Sequence, residues 1–275
     1  MKSQDVFNDP QLDITGKHAV MNILLTNDDG IHAEGLWALH DRLAPRHAVA
    51  VIAPDRERTA VGHGITLHLP LRAHPVVLNG GVRGYAVNGT PADCVKLGIL
   101  EILKHKPDLV VAGLNPGANV GVNITYSGTV AAAKEAALGG IPAIAASIEG
   151  HGPYRYDTAA AFIVRLAEMV LQRGLPPGTF LNVNFPNVPE TDVAGVRISR
   201  HGLEIFREYM EKRTDPRQRT YYWQGVDMQT FGEDLDVDGA ALRHGFISIT
   251  PITCDMTDYK AMDELKQWGL DAKLE

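Results

Sequence analysis

Asn22-Ile-Leu-Leu-Thr-Asn-Asp28-Asp29-Gly30 decides how the rest of the chain reads. A short run of apolar and small residues leads directly into two adjacent carboxylates and a glycine. Such a run, bounded by Asn, Asp and Gly, predicts a buried strand ending in a tight turn. Beyond it, Glu34 to Arg46 carries Leu36, Leu39 and Leu43 at helical spacing, so the unit is strand, acidic turn, helix. In an open α/β sheet, ligands collect outside the carboxyl ends of the strands. Two side-by-side carboxylates there suit a hard divalent cation. The alternative is a helix-capping Asp beside a solvated one.

Working outward, His47 to Ala53 reads as a second buried strand, and Pro54-Asp-Arg-Glu-Arg-Thr59 leaves its carboxyl end. Gly62-His63-Gly64 follows. Residues 65 to 88 alternate loosely and contain Asn79-Gly80-Gly81, which suggests a hairpin or sheet extension. Thr90-Pro91-Ala92-Asp93 is a helix start: Thr caps, Pro suits the first position, and Asp sits in the first turn. Val95, Ile99, Ile102 and Leu103 form its apolar face. Strands are predicted at 108–113, 142–147 and 179–185, with helices at 130–138 and from about Ile163 to near Gly174. This alternation implies a Rossmann-like α/β fold, a mainly parallel, doubly wound sheet.

Residues beyond 200 read differently. The charged stretch Arg207 to Trp223 is studded with Tyr209, Tyr221, Tyr222 and Trp223, which suits a projecting arm. A final strand over 245–250 and a helix over 259–268 follow. The expected organisation is an extension at 1–20, an α/β core at 21–200, an arm at 201–232, and a segment at 233–275 returning to a core or neighbouring subunit. Asp234-Leu-Asp-Val-Asp238-Gly239 copies the opening of a calcium loop, but the bidentate acid required at its twelfth position falls on Gly245. Asp238 is better read as the cap of a short helix over 239–244.

At 45% hydrophobic and 21% charged, 275 residues bury a sizeable core and argue against disorder. A net charge of −7 and the lack of a Lys/Arg run disfavour a nucleic-acid polymer as partner. A small anion remains compatible, because a bound cation reverses the local sign. No apolar run reaches the roughly 20 residues that span a bilayer, and Cys94 and Cys254 alone make no disulfide framework, which fits a cytoplasmic protein.

Three loops leave predicted carboxyl ends: Asp28-Asp29, Asp55 to His63, and Asn115 to Asn119. They offer two carboxylates, the Thr59 hydroxyl and two amides, an all-oxygen set suited to magnesium, manganese or calcium. Ser127-Gly128-Thr129 opens a helix, whose free amides and dipole favour a phosphate; a plain N-cap is the other reading of Ser127. A cation and a phosphate cradle in one cleft point to phosphoryl chemistry.

Ile23-Leu-Leu-Thr-Asn-Asp-Asp-Gly30, Ala53-Pro-Asp-Arg56, Gly89-Thr-Pro-Ala-Asp-Cys94, Gly113-Leu-Asn115, Tyr126-Ser-Gly-Thr-Val-Ala-Ala-Ala133 and Gly245-Phe-Ile-Ser-Ile-Thr-Pro251 occur in an order that resembles the SurE family (stationary-phase survival protein E). The resemblance covers roughly 21 to 255. It implies hydrolysis of nucleoside 5′-monophosphates to nucleoside and phosphate, with one divalent cation per subunit, Mg²⁺ or Mn²⁺. Asp28, Asp29, Thr59 and Asn115 would be the metal ligands, and Asn119, Ser127, Gly128 and Thr129 would line the phosphate site. It also implies a homodimer or homotetramer whose C-terminal arms exchange. The family typically has Ser-Gly-Ala-Ser-Asn-Ser where Thr59-Ala-Val-Gly-His63-Gly64 stands here. Thr59 keeps the oxygen but stiffens χ1. His63 replaces an amide, and is either a proton donor or phosphate partner, or an exposed loop histidine. One aspartate is the expected water-orienting base, so Asp28, Asp29 and His63 are the candidate catalytic residues. The altered loop leaves a second reading, a nucleotide- or metal-binding module that has lost turnover. A broader phosphomonoesterase or exopolyphosphatase is a third. A dinucleotide-dependent oxidoreductase is disfavoured, since the first turn lacks GxGxxG.

Overall fold

The computed structural model describes residues 20–78, 81–203, 208–226 and 232–268. Most of the expected extension at 1–20 and the Asn79-Gly80 turn lie outside them. In chain order, β1 (Asn22–Thr26), α1 (Glu34–Leu43) and β2 (Ala48–Pro54) form the first βαβ unit. A hairpin of β3 (Ala73–Val77) and β4 (Arg83–Val87) follows, then α2 (Pro91–Leu97), β5 (Leu109–Pro116), α3 (Gly128–Leu138), β6 (Ala143–Ile148), α4 (Tyr156–Arg173) and β7 (Thr179–Phe185). The remainder comprises β8 (Gly195–Ile198), β9 (Glu208–Thr214), β10 (Thr220–Val226), α5 (Asp238–Arg243), β11 (Phe246–Thr253) and α6 (Tyr259–Lys266).

Nine strands form one sheet in the order β3-β4-β2-β1-β5-β6-β7-β11-β8. From β1 the chain moves one way to β2, then to the edge strand β3, and turns back as β4 beside β2. It then returns and winds the other way through β5, β6 and β7. Leu25 of β1 accordingly pairs with Val51 on one side and Val111 on the other, both parallel. The winding reverses between β1 and β5, and that topological switch is where an α/β sheet leaves a crevice.

Strand alternation sorts the core into two layers. Ile23 and Leu25 face one way, onto Leu36 and Leu39 of α1 and Ala160 and Ile163 of α4. Leu24 faces the other way, onto Cys94 and Val95 of α2 and the small residues Val130, Ala132, Ala133 and Ala136 of α3. Each fully buried Leu, Ile or Val among them contributes about 1.5–3 kcal/mol. Gly35 lets α1 sit close on the sheet, because a Cβ there would stand 2.1 Å from the Leu114 carbonyl oxygen.

The structure departs from the sequence reading at several elements. Asn115 is the last residue but one of β5, paired with Ser147 after a register shift, and is not in the following loop. The helix opened by Pro91 ends at Leu97 and continues as one wider π-type turn, Gly98–Ile102. β8 went unread; it is four residues long and too short to show a period. The sheet is mixed at its ends, since β3 runs antiparallel to β4 and β11 antiparallel to β7. β9 and β10 form a separate two-stranded antiparallel sheet within the expected arm. Among the described residues no helix is long and apolar enough to cross a membrane.

Candidate active site

The turn after β1 is shaped by Asn27, which is fully buried. Its Nδ2 donates to the Gly30 carbonyl at 3.0 Å and its Oδ1 accepts the Gly30 N–H at 3.2 Å. Gly30 adopts φ +99°, which favours glycine, and a Cβ there would approach the Arg56 backbone to 3.1 Å. The Arg58 N–H donates to the Asp28 carbonyl at 2.7 Å. The loops leaving β1 and β2 are therefore stitched together behind the two aspartates.

Asp28 is buried, and the Thr129 hydroxyl donates to its Oδ1. Burial pushes the Asp28 carboxyl up; hydrogen bonds from Thr129 and from nearby backbone amides oppose this without cancelling it. Gly128 is required by the same packing, since a Cβ on it would lie 2.8 Å from the Asp28 Cβ. Asp29 is pushed up to about 7, first by burial, then by the neighbouring charges of Asp28 and Glu57. Its Oδ2 is buried and has no hydrogen-bond partner among the described residues.

These groups open on a cleft of about 410 Å³, lined among others by Asp28, Asp29, Thr59, Asn115, Asn119 and Ser127. These six positions, distant in sequence, thus border one cleft. Glu57, Asn123 and Tyr126 also line the cleft. Glu57 is a site residue the sequence reading missed: within Asp-Arg-Glu-Arg it looks like part of a solvated charged face. The Thr59 hydroxyl donates to Glu57 Oε1 at 2.5 Å. Asn115 Nδ2 donates to the Gly117 carbonyl at 2.6 Å, which leaves Oδ1 as the acceptor end of that amide.

Asn119 is held by residues that were also missed. Its N–H donates to Asn184 Oδ1 at 2.8 Å, and its carbonyl accepts from Asn182 Nδ2 at 2.8 Å and Asn184 Nδ2 at 3.2 Å. Its own Nδ2 donates to Ser147 Oγ at 2.7 Å. Polar residues alternating in Asn182-Val-Asn184, on a buried strand, were the available signal. Gly121 is clamped in turn: Asp238 Oδ2 accepts its N–H at 3.0 Å, and His201 Nε2 donates to its carbonyl at 2.8 Å. This corrects the expected capping role of Asp238. α5 starts at Asp238 itself with Val237 at the cap position, and the buried carboxylate accepts from Gly121, Gly202 and Gly239.

Three expected site residues sit elsewhere. His63 is not part of the cleft lining; its Nε2 lies 2.8 Å from Glu135 Oε2, and Lys96 Nζ donates to the other Glu135 oxygen at 2.8 Å. Gly128 and Thr129 lie behind Asp28. Ser127 both lines the cleft and caps α3, its Oγ accepting the Val130 N–H at 3.1 Å.

The donors fit a hard cation. Asp29 Oδ2 is a buried carboxylate oxygen lacking a partner beside a second carboxylate, an amide and a hydroxyl. Among the described residues no group of three or more His, Cys, Asp or Glu is placed to hold a metal. The set here has two carboxylates and otherwise neutral oxygens, as magnesium and manganese accept.

A doubly wound α/β sheet with an acidic, oxygen-lined cleft at its switch point defines the general class, a Rossmann-like α/β protein. Comparison with known proteins narrows this: the family model described as "Survival protein SurE" matches residues 23–208, and the chain belongs to the SurE family. It is 57% identical over 251 residues to the 5′-nucleotidase SurE of Desulfatibacillum aliphaticivorans, covering 91% of this chain and 99% of that one. It is 49% identical over 254 residues to the 5′-nucleotidase SurE of Geobacter sulfurreducens, covering 92% and 95%. The crystal structure of a SurE protein from Aquifex aeolicus superposes with a TM-score of 0.79 at 37% identity, covering 90% of this chain and 99% of that one.

Proposed function

We infer that the chain is a divalent-cation-dependent phosphatase that hydrolyses nucleoside 5′-monophosphates to nucleoside and phosphate. The observation that carries this reading is the partnerless Asp29 Oδ2 in the cleft beside Asp28 and Asn115. It stands in a chain that is 57% identical to a 5′-nucleotidase SurE.

Asp28, Asp29, Thr59 and Asn115 would hold the cation. When bound, a divalent ion offsets the charge of the phosphoryl group and acidifies a coordinated water. The protein's own groups do the rest. The Thr129 hydroxyl holds Asp28 in one orientation and favours its ionised form. The backbone amides of Gly128 and Thr129 at the start of α3, with the positive end of the helix dipole, favour the ionised Asp28 in the same way. Asn119, locked by Ser147, Asn182 and Asn184, adds a fixed amide that need not reorganise during reaction. One of the two aspartates orients the attacking water. His63, paired with Glu135, acts outside the reacting atoms.

Mg²⁺ or Mn²⁺ is the expected ion, and the cytoplasm the expected compartment for a chain with two cysteines. The arm supports a homodimer or homotetramer. A panel of AMP, GMP, simple phosphomonoesters and polyphosphate, assayed with Mg²⁺, Mn²⁺ or EDTA, tests the reading. Cation-dependent phosphate release from the nucleotides is expected. Its absence at all cation concentrations would leave a binding module instead.

A further inference from the structure

The floor of the cleft is acidic and amide-lined, but its wall carries an aromatic ring. Tyr126 lines the cleft and is 53% exposed. Its backbone is nonetheless fixed on both sides: its N–H donates to the Asn123 carbonyl at 3.0 Å, and its carbonyl accepts the Gly62 N–H at 2.9 Å. A single exposed aromatic on a surface needs no explanation. This one is pinned beside Ser127, which caps α3 and lines the same cleft. Tyr126 and Ser127 are adjacent in the chain and both line the cleft, so the aromatic residue borders the same space as the two aspartates. Asn123 shares the lining and carries both a donor and an acceptor.

We propose that Tyr126 is the platform on which the substrate's nucleobase stacks, so that it separates nucleoside monophosphates from phosphomonoesters that lack a planar ring. The proposal rests on the nucleotidase reading of the cleft and deepens it. Stacking on an aromatic face tolerates different bases, because every base has a π-face. Tyr126 therefore favours nucleotides as a class, and Asn123 offers hydrogen bonds to the edge of the base. The ring touches the part of the substrate remote from the reacting phosphorus. Its contribution is equal in ground and transition states and falls on KM rather than kcat.

The test compares wild type, Tyr126→Ala, Tyr126→Leu and Tyr126→Phe on AMP and on ribose 5-phosphate with saturating Mg²⁺ or Mn²⁺. The dissociation constant of adenosine, measured calorimetrically, is a readout independent of turnover. Tyr126→Ala and Tyr126→Leu are expected to raise KM for AMP by about 10-fold and to weaken adenosine by a similar factor. The kinetics with ribose 5-phosphate stay unchanged, and Tyr126→Phe restores AMP. Equal losses on both substrates, or no loss on either while wild type hydrolyses AMP, overturn the platform alone. Wild-type protein that leaves AMP intact with either cation overturns the nucleotidase reading and the platform with it.

Discussion

Asp29 carries a buried oxygen without a partner and a carboxyl held up to about 7 by burial and by Asp28 and Glu57. With the folded-state value raised, the folded chain holds the proton more tightly than the unfolded one. That contribution to stability is present below the ordinary value of 3.8 and is lost as pH rises through about 7. In EDTA-treated protein, the melting temperature of wild type relative to Asp29→Asn is therefore expected to fall across that interval. Adding Mg²⁺ or Mn²⁺ raises the wild-type value and does little for Asp29→Asn; thermal melts in a pH series check both. A relative stability flat with pH would contradict the burial of an ionisable Asp29. Asp29 stood out in sequence because two acids end a short apolar run, a pattern open both to a cation ligand and to a helix cap beside a solvated acid. Ser147, Asn182 and Asn184 were not, because each acts through Asn119, Ser147 on its side chain and the two asparagines on its backbone, far away in the chain.

At the scale of elements, α2 shows how a helix cap also fastens a loop. Thr90 and Asp93 form a reciprocal capping box. Asp93 also accepts from the Thr66 N–H at 3.0 Å and the Thr66 hydroxyl at 2.7 Å, and Thr90 Oγ1 donates to the Gly64 carbonyl at 2.8 Å. The segment that presents Thr59 is thus tied to the start of α2. Burial raises the Asp93 carboxyl, but the hydrogen bonds from Thr66 and Thr90 outweigh it and the net shift is downward. Its stabilisation is present above the ordinary value of 3.8 and is lost as pH falls through the lower folded-state value. Asp93→Asn is expected to cost about 1–3 kcal/mol at neutral pH, and the gap to wild type narrows in acid; urea titrations at several pH values measure it. The second tether is His63 on Glu135. His63→Gln is expected to leave the pH dependence of kcat unchanged and to cost about 1 kcal/mol or less. A lost limb in the pH–rate profile would return His63 to the chemistry. The cap was readable from Thr-Pro-Ala-Asp, since capping is local. The grip on Thr66 was not, because nothing in a linear pattern reports which distant loop a cap will meet.

The described core is built on one nine-stranded sheet whose winding reverses between β1 and β5, and that reversal places Asp28 and Asn115 on one cleft. The alternation of strand and helix announced the winding; the neighbours of β11 were beyond reach, because strand order depends on contacts across most of the chain. The β9–β10 hairpin makes a sheet of its own and exposes Tyr209, Met210, Tyr222 and Trp223. An isolated two-stranded hairpin is marginally stable in water. Replacing residues 208–226 with a short Gly-Ser linker is therefore expected to lower the oligomeric state, read by light scattering, while the monomer keeps its fold by circular dichroism. Unchanged mass would assign assembly to another surface. β11, Phe246–Thr253, lies between β7 and β8, and Asp238 grips Gly121 beside the cleft. During translation, a nascent chain that has already emerged past Thr129 carries every candidate ligand and still lacks the parts that brace them. The cleft is thus braced by residues that the ribosome delivers well after the last candidate ligand.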